Sequence, residues 1–236
     1  MRRAVVVIDD FYADPDEVRR YALAQPTYYP YQARADVEAG TARYSWMTTA
    51  FREARECPFK SSPKLRARLE AATGDTIDLE HWNLGFPRLA DGRAAPDCRT
   101  EERSCLWNCS VHFKPTNDQE LGEGVHNHVI DGWNGVGEDG WAGIIYLTPD
   151  APLPGGLKLW RNRDPEHQLD WMTGKEDWEL VDDLGNLFNR LILTRGDVPH
   201  SGAAGWGRTP SEGRLFQTFF FRTTGSTPDA GVELAL

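Results

Sequence analysis

The chain has 236 residues, of which 40% are hydrophobic and 26% charged, and it carries a formal net charge of −10 at pH 7. A chain of this length can bury one sizeable core, and all-β barrels and sandwiches reach this size as a single unit. The acidic charge is spread along the chain with no basic stripe, which argues against a nucleic-acid partner, although one buried arginine can still create a local site for a small anion.

Met1-Arg2-Arg3 is followed by five apolar residues, Ala4 to Ile8, before Asp9-Asp10 ends the run. That is too short for a signal-peptide core or a membrane span, so the segment predicts a buried strand in a cytoplasmic protein with no membrane association. A helix is predicted from Asp14: its carboxylate can cap free N–H groups, Pro15 suits the first helical position, and Pro26 stops the run. A second helix starts at Ser62-Pro63, carries Leu65, Leu69 and Ala72 on one stripe, and ends at Gly74. From about Thr76 onward short apolar runs alternate with Gly, Pro and Asp turns. They predict strands at 76–84, 105–114, 141–147, 156–160, 188–194 and 214–222. In the last of these Leu215, Gln217 and Phe219 share one face, and Arg214, Phe216, Thr218 and Phe220 the other.

The stretches Asp91–Arg103 and Asp164–Gly185, the second with Trp171 and Trp178, read as charged loops. The cysteines Cys57, Cys98, Cys105 and Cys109 form no CxxC pair. Trp107, Cys109, Val111 and Phe113 alternate like the inward face of a strand, so the thiols are expected to be buried and free. No repeat or linker divides the chain, which predicts one domain over 1–236, with a strand–helix support at 1–75 and a core at 76–222. Two helices followed by many strands give a mainly β fold with flanking helices, and a jelly roll satisfies that pattern with an open mouth for a ligand.

The segment with most chemistry is Val125-His126-Asn127-His128-Val129-Ile130-Asp131. In an extended chain His126 and His128 point to the same side, and Gly132 permits a turn that would bring Asp131 round to join them. His200 follows a strand after a tight Gly196-Asp197 turn. Two histidines and a carboxylate on one side of an iron leave three adjacent positions open, as an Fe(II) oxygenase requires. Arg214 enters an apolar strand fourteen residues after His200 and must find an anion there, either a ligand carboxylate or a structural Asp or Glu. His81, His112 and His167 read as ordinary surface or core residues, with His112 on a face that either lines the mouth or meets water.

Several stretches resemble small 2-oxoglutarate/Fe(II)-dependent oxygenases, nearest to bacterial and phage proteins of the prolyl-hydroxylase-like group. They are Trp141–Pro152 with Gly155-Gly156, Phe188–Leu193, Arg195–Gly202 and Gly213–Phe220, together with the opening Val7-Ile8-Asp9-Asp10-Phe11. The resemblance spans nearly the whole chain and is most specific from 125 to 221. It implies a double-stranded β-helix, Fe(II) and 2-oxoglutarate as cofactors, His200 as the distal iron ligand and Arg214 as partner of the far carboxylate of 2-oxoglutarate. That family's first two ligands come as His-x-Asp, whereas this chain offers His-Asn-His and His-Val-Ile-Asp. His128 with Asp131 is the favoured pair, because a carboxylate offsets part of the metal charge. His126 in the first position and a three-histidine set of His126, His128 and His200 remain the alternatives.

Tyr146 either hydrogen-bonds the cosubstrate or packs across strands, and Asn108 and Trp133 are further pocket candidates. The expected reaction is hydroxylation of a C–H bond of a small molecule with O2, releasing succinate and CO2. The substrate would be framed by loops 27–60, 91–104 and 164–185, and the protein would be a monomer or homodimer. The rival readings are a zinc-dependent hydrolase built on the His-x-His/Asp cluster and a non-catalytic jelly-roll binding protein.

Overall fold

The computed structural model describes residues 3–28, 36, 38–39, 47–49, 57–83, 108–116, 124–129, 135–164 and 177–226. The helix signals act as the sequence predicts. In α1 (Pro15–Ala24) the Asp14 carboxylate accepts the Glu17 N–H at 2.7 Å, and the chain turns extended at Gln25, the residue before Pro26. A short α2 (Pro58–Ser61) leads into α3 (Pro63–Thr73), where the Ser62 hydroxyl accepts the Leu65 N–H at 3.2 Å. Gly74 closes α3 at φ 75°, a left-handed conformation that glycine adopts without steric cost.

The strands are β1 (Val5–Ile8), β2 (Thr27–Tyr28), β3 (Met47–Thr49), β4 (Asp75–Ile77), β5 (Val111–Lys114), β6 (Trp141–Tyr146), β7 (Leu157–Asn162), β8 (Trp178–Leu184), β9 (Leu191–Arg195), β10 (His200–Gly202), β11 (Arg214–Phe221) and β12 (Thr223–Ser226). Seven form one sheet in the order β1-β9-β6-β11-β5-β3-β2, three form a second in the order β10-β7-β8, and β4 pairs with β12. Residues 124–128 extend the smaller sheet, because His126 and His200 exchange both backbone hydrogen bonds, at 2.9 and 2.8 Å. From β5 onward the chain therefore moves between the layers: β5 large, 124–128 small, β6 large, β7 and β8 small, β9 large, β10 small, β11 large. This alternation is a double-stranded β-helix, the jelly roll anticipated above.

Side-chain alternation divides the large sheet into two faces. The outer face carries Val111, Phe113 and Leu215 against Ala22 and Val18 of α1, and Trp141, Ile145, Phe219 and Phe221 against Leu65 and Leu69 of α3. Each such side chain taken fully out of water contributes about 1.5–3 kcal/mol, so the helices are held by this face. The inner face meets the small sheet through Ile144, Tyr146, Ile192 and Phe216 against Leu157 and Leu159. Trp178, Trp160 and Val125 form a separate cluster.

Three expectations need correction. The run 76–84 is not one strand: β4 ends at Ile77, and Asp78 caps a helical turn, α4 (Leu79–Asn83), by accepting the Glu80 and His81 N–H groups. The run 105–114 does not alternate through Cys109, because the chain turns at Asn108–Cys109, with Cys109 at φ 69°. Cys57 and Cys109 are nevertheless buried and free, as expected, while Cys98 and Cys105 lie outside the described residues. Within the predicted loop 164–185, Trp178–Leu184 is strand β8, paired antiparallel to β7 with a register shift at Leu159/Trp160. Its exposed charges suit an edge strand and hide the strand pattern. His200, after the Gly196-Asp197 turn, begins a short strand, β10. Residues 91–103, Trp171 and His167 lie outside the described residues. No helix among the described residues is long and apolar enough to cross a membrane.

One buried ion pair ties the small β4/β12 sheet to the core. Arg195, at the end of β9, meets the Asp75 carboxylate at 2.8 Å, and the same oxygen accepts the Trp141 indole N–H at 2.8 Å. The guanidinium also lies 4.0 Å above the Trp141 ring. Removing one partner of a buried pair strands the other charge, so Asp75→Ala should lower the unfolding free energy by about 3 kcal/mol. Urea titration checks this, and a loss below ~1 kcal/mol would show the pair to be no tie at all.

Candidate metal centre

The site is built by backbone pairing. His126 and His200 face each other as a doubly hydrogen-bonded antiparallel pair, so their side chains leave the sheet on one side. His128 is two residues further along its extended segment and points the same way. The three rings converge, with centroids 4.7 Å apart for His126–His200 and 5.0 Å for both other pairs. One nitrogen from each lies within 4.8 Å of the others.

Local contacts set the protonation of these rings. His126 Nδ1 is 2.8 Å from Gly124 O, and His200 Nδ1 is 2.8 Å from Val198 O. A carbonyl can only accept, so Nδ1 carries the proton and Nε2 keeps its lone pair, the tautomer a metal ligand needs. Burial lowers the pKa of His126, and it lowers that of His200 to about 3, helped by the neighbouring His126. Both imidazoles are therefore neutral near pH 7 and fit the demand of a divalent cation for uncharged nitrogen donors. His128 is held from behind: its N–H donates to Gly196 O at 2.7 Å, and its ring meets Phe220 at 5.0 Å. Gly196 has no room for a side chain, since a Cβ there would come 2.0 Å from Gly137 O.

The expected ligand set was His128, Asp131 and His200, with His126 as alternate. The structure brings His126, His128 and His200 together, and Asp131 lies outside the described residues, as does Trp133. Asn108 is a structural residue: its side-chain oxygen accepts the Phe220 N–H at 3.0 Å and its amide donates to Trp82 O at 3.3 Å. His81 is likewise part of the framework, between Gly135 O and the Arg222 N–H. His112 points into the interior between the sheets and does not meet water. It is 1% exposed, stacked on Phe216 at 5.3 Å and 2.9 Å from Thr218 Oγ1.

Arg214, 2% exposed, begins β11 on the inner face. Its guanidinium donates to Gly155 O at 3.1 Å and Gly156 O at 3.5 Å, and it lies 4.6 Å from the Phe216 ring centre. Gly202, two residues after His200 on the same strand face, leaves space in front of it: a Cβ there would lie 3.5 Å from an Arg214 nitrogen. Two residues of strand span roughly 6.6 Å, so the Gly202 backbone that Arg214 faces lies close to that of His200. Beside them the Tyr146 hydroxyl is buried next to the Arg214 guanidinium. Burial pushes its pKa up to about 12 against the opposing charge of Arg214, so the hydroxyl keeps its proton and can donate.

No family model matches the sequence, and no curated protein matches it. Among solved structures, a Pseudomonas putida prolyl-4-hydroxylase is 13% identical with a TM-score of 0.41, over 94% of each chain. The non-heme alpha ketoglutarate dependent epimerase SnoN from nogalamycin biosynthesis is 14% identical with a TM-score of 0.49, over 97% of this chain and 83% of its own. A Trichoplax adhaerens prolyl hydroxylase in complex with a hypoxia inducible factor peptide is 15% identical with a TM-score of 0.41, over 92% and 83%.

The buried imidazole of His112 has a measurable consequence. Burial, with Arg214 nearby, lowers its pKa from 6.5 to about 3. Between those values the unfolded chain binds more protons than the folded one, so stability rises with pH across the window and falls as the medium is acidified. Each such imidazole contributes a slope of up to ~1.4 kcal/mol per pH unit. Metal-free His112→Gln should therefore show a shallower loss of stability than the parent as pH falls below 6.5. Identical slopes for parent and variant would contradict the burial of a neutral ring.

Proposed function

We propose that the protein is a non-haem Fe(II)- and 2-oxoglutarate-dependent dioxygenase that hydroxylates a C–H bond of a small molecule. The observation that carries this reading is the pairing of two features in the interior between the two sheets, one from each sheet. A cluster of three imidazoles has ligand nitrogens within 4.8 Å of one another, and Arg214, with Tyr146 beside it, lies against Gly202, two residues from His200. A metal site alone suits many chemistries. A metal site with a buried guanidinium beside it suits a ligand that chelates through one end and carries a carboxylate at the other.

In this reading His126, His128 and His200 hold the metal, and Arg214 pairs with the far carboxylate while Tyr146 donates a hydrogen bond to it. When bound, Fe(II) and 2-oxoglutarate supply O2 activation and the oxidation of substrate, with release of succinate and CO2. The chain supplies position and dryness. Gly124 O and Val198 O fix the rings of His126 and His200, and Phe220 backs His128. Ile144, Ile192, Leu157 and Leu159 keep water from the inner face beside Tyr146. Gly156 must remain glycine for the Arg214 cradle to form, because a Cβ there would come 1.7 Å from Leu184 O.

The second reading, a zinc hydrolase, draws on the same imidazoles, since three histidines with one open position form a zinc site that can activate water. It assigns no role to Arg214 or Tyr146. One experiment separates the two. Anaerobic protein with Fe(II) and 2-oxoglutarate should develop a weak visible charge-transfer band, and with O2 it should release succinate. His200→Ala and His126→Ala should abolish the band. Arg214→Met should weaken 2-oxoglutarate binding by about 100-fold while Fe(II) still binds, the scale of losing a charge-assisted pair. Tight zinc binding with hydrolytic activity, and no band with Fe(II), would replace the oxygenase reading. Asp131→Asn tests the remaining candidate ligand: loss of Fe(II) from this variant, and not from His126→Ala, would move the third ligand to the carboxylate.

A further inference from the structure

The space between the sheets is chemically divided. Toward β6, β7 and β9 its walls are Ile144, Ile192, Leu157 and Leu159. Toward β3 and β5 the same inner face of the large sheet turns polar. His112 and Thr218 lie on it by strand alternation, Thr48 is registered beside His112, and Ser110 precedes the inward His112 by two residues. All four are buried, at 0% exposure for Thr48 and Ser110, 1% for His112 and 9% for Thr218. Burial on this scale favours apolar side chains, so a polar stripe here needs a reason.

The stripe adjoins the imidazole cluster. Thr218 is followed on the same face by Phe220, and the Phe220 ring contacts His128 at 5.0 Å. Thr218 Oγ1 is 2.9 Å from His112 Nε2. The Ser110 hydroxyl, although fully buried, has no hydrogen-bond partner among the described residues. A buried hydroxyl without a partner is costly, and a ligand group that supplies one recovers that cost.

We infer that Ser110, His112 and Thr218 form the substrate's polar subsite beside the metal, and that they take an uncharged hydrogen-bonding group, a hydroxyl or carboxamide. The inference rests on the dioxygenase reading above. The stripe offers two hydroxyls and an imidazole that burial keeps neutral, so it has no countercharge for an ammonium or a carboxylate. The substrate class is therefore a neutral polar small molecule that presents a C–H bond to the metal while its hydroxyl or amide is held by this stripe.

The test uses the full chain loaded with Mn(II) in place of iron and saturated with 2-oxoglutarate. Methyl-proton relaxation of three small probes, acetamide, methylammonium and acetate, then reports how closely each approaches the paramagnetic ion. Acetamide should be relaxed about threefold more than either ion, the size of one neutral hydrogen bond. Ser110→Ala and Thr218→Val should each remove half or more of that excess, and Ser110→Thr, which keeps the hydroxyl, should retain it. Mn(II) and 2-oxoglutarate affinities on the same samples separate a folding defect from a lost probe contact. Equal relaxation of the three probes, or an excess unchanged in Ser110→Ala, would overturn the subsite. Failure of Mn(II) to bind at all would instead remove the metal-centre reading, and the subsite with it.

Discussion

The reciprocal backbone pair between His126 and His200 is the constraint on which the site depends. Two residues that exchange both hydrogen bonds across antiparallel strands have their positions set by the ladder, not by side-chain choice. The pair brings two rings together from segments far apart in the chain, and the two-residue period of the extended backbone adds His128. The carbonyls of Gly124 and Val198 then decide which nitrogen of His126 and His200 is left for a ligand. The site is thus prepared before any ion arrives, and the entropy of gathering its donors is met by the fold.

The rest of the architecture serves that arrangement. Helices α1 and α3 cover the outer face of the large sheet, which frees its inner face from supplying most of the core. The inner face can then carry what a well-packed core would reject: the Arg214 cation, the Tyr146 hydroxyl and the polar stripe through His112, opposite the imidazoles of the small sheet. The Asp75–Arg195–Trp141 contact anchors the end of β9 immediately before Gly196, whose carbonyl holds His128. A stability device and the site share one short stretch of backbone.

Much of this was legible in the residues. Capping chemistry at Asp14 and Ser62-Pro63 located both principal helices, and alternation in 214–221 separated the helix-facing from the inward side chains. What the sequence concealed has identifiable physical causes. The edge strand β8 carries Glu179, Asp182 and Asp183 in exposed positions and shifts register against β7, so its pattern looks like a charged loop. The Asn108–Cys109 turn hides inside an alternating run, because Cys109 adopts a positive φ without being glycine or asparagine. His112 is the core histidine that the sequence allowed, but nothing local reveals that Thr218, 106 residues later, stands beside it. At the centre itself, spacing nominated three donors for two places, and only the pairing with β10 brought His126 alongside His128 and His200.

The most direct measurement is an anaerobic crystal structure of the Fe(II) and 2-oxoglutarate complex, with anomalous scattering recorded at the iron edge. One iron peak is expected, bonded to the Nε2 atoms of His126 and His200 and to His128, with the far carboxylate of 2-oxoglutarate on Arg214 and within reach of the Tyr146 hydroxyl. An iron peak away from these rings, or 2-oxoglutarate bound without Arg214, would contradict it.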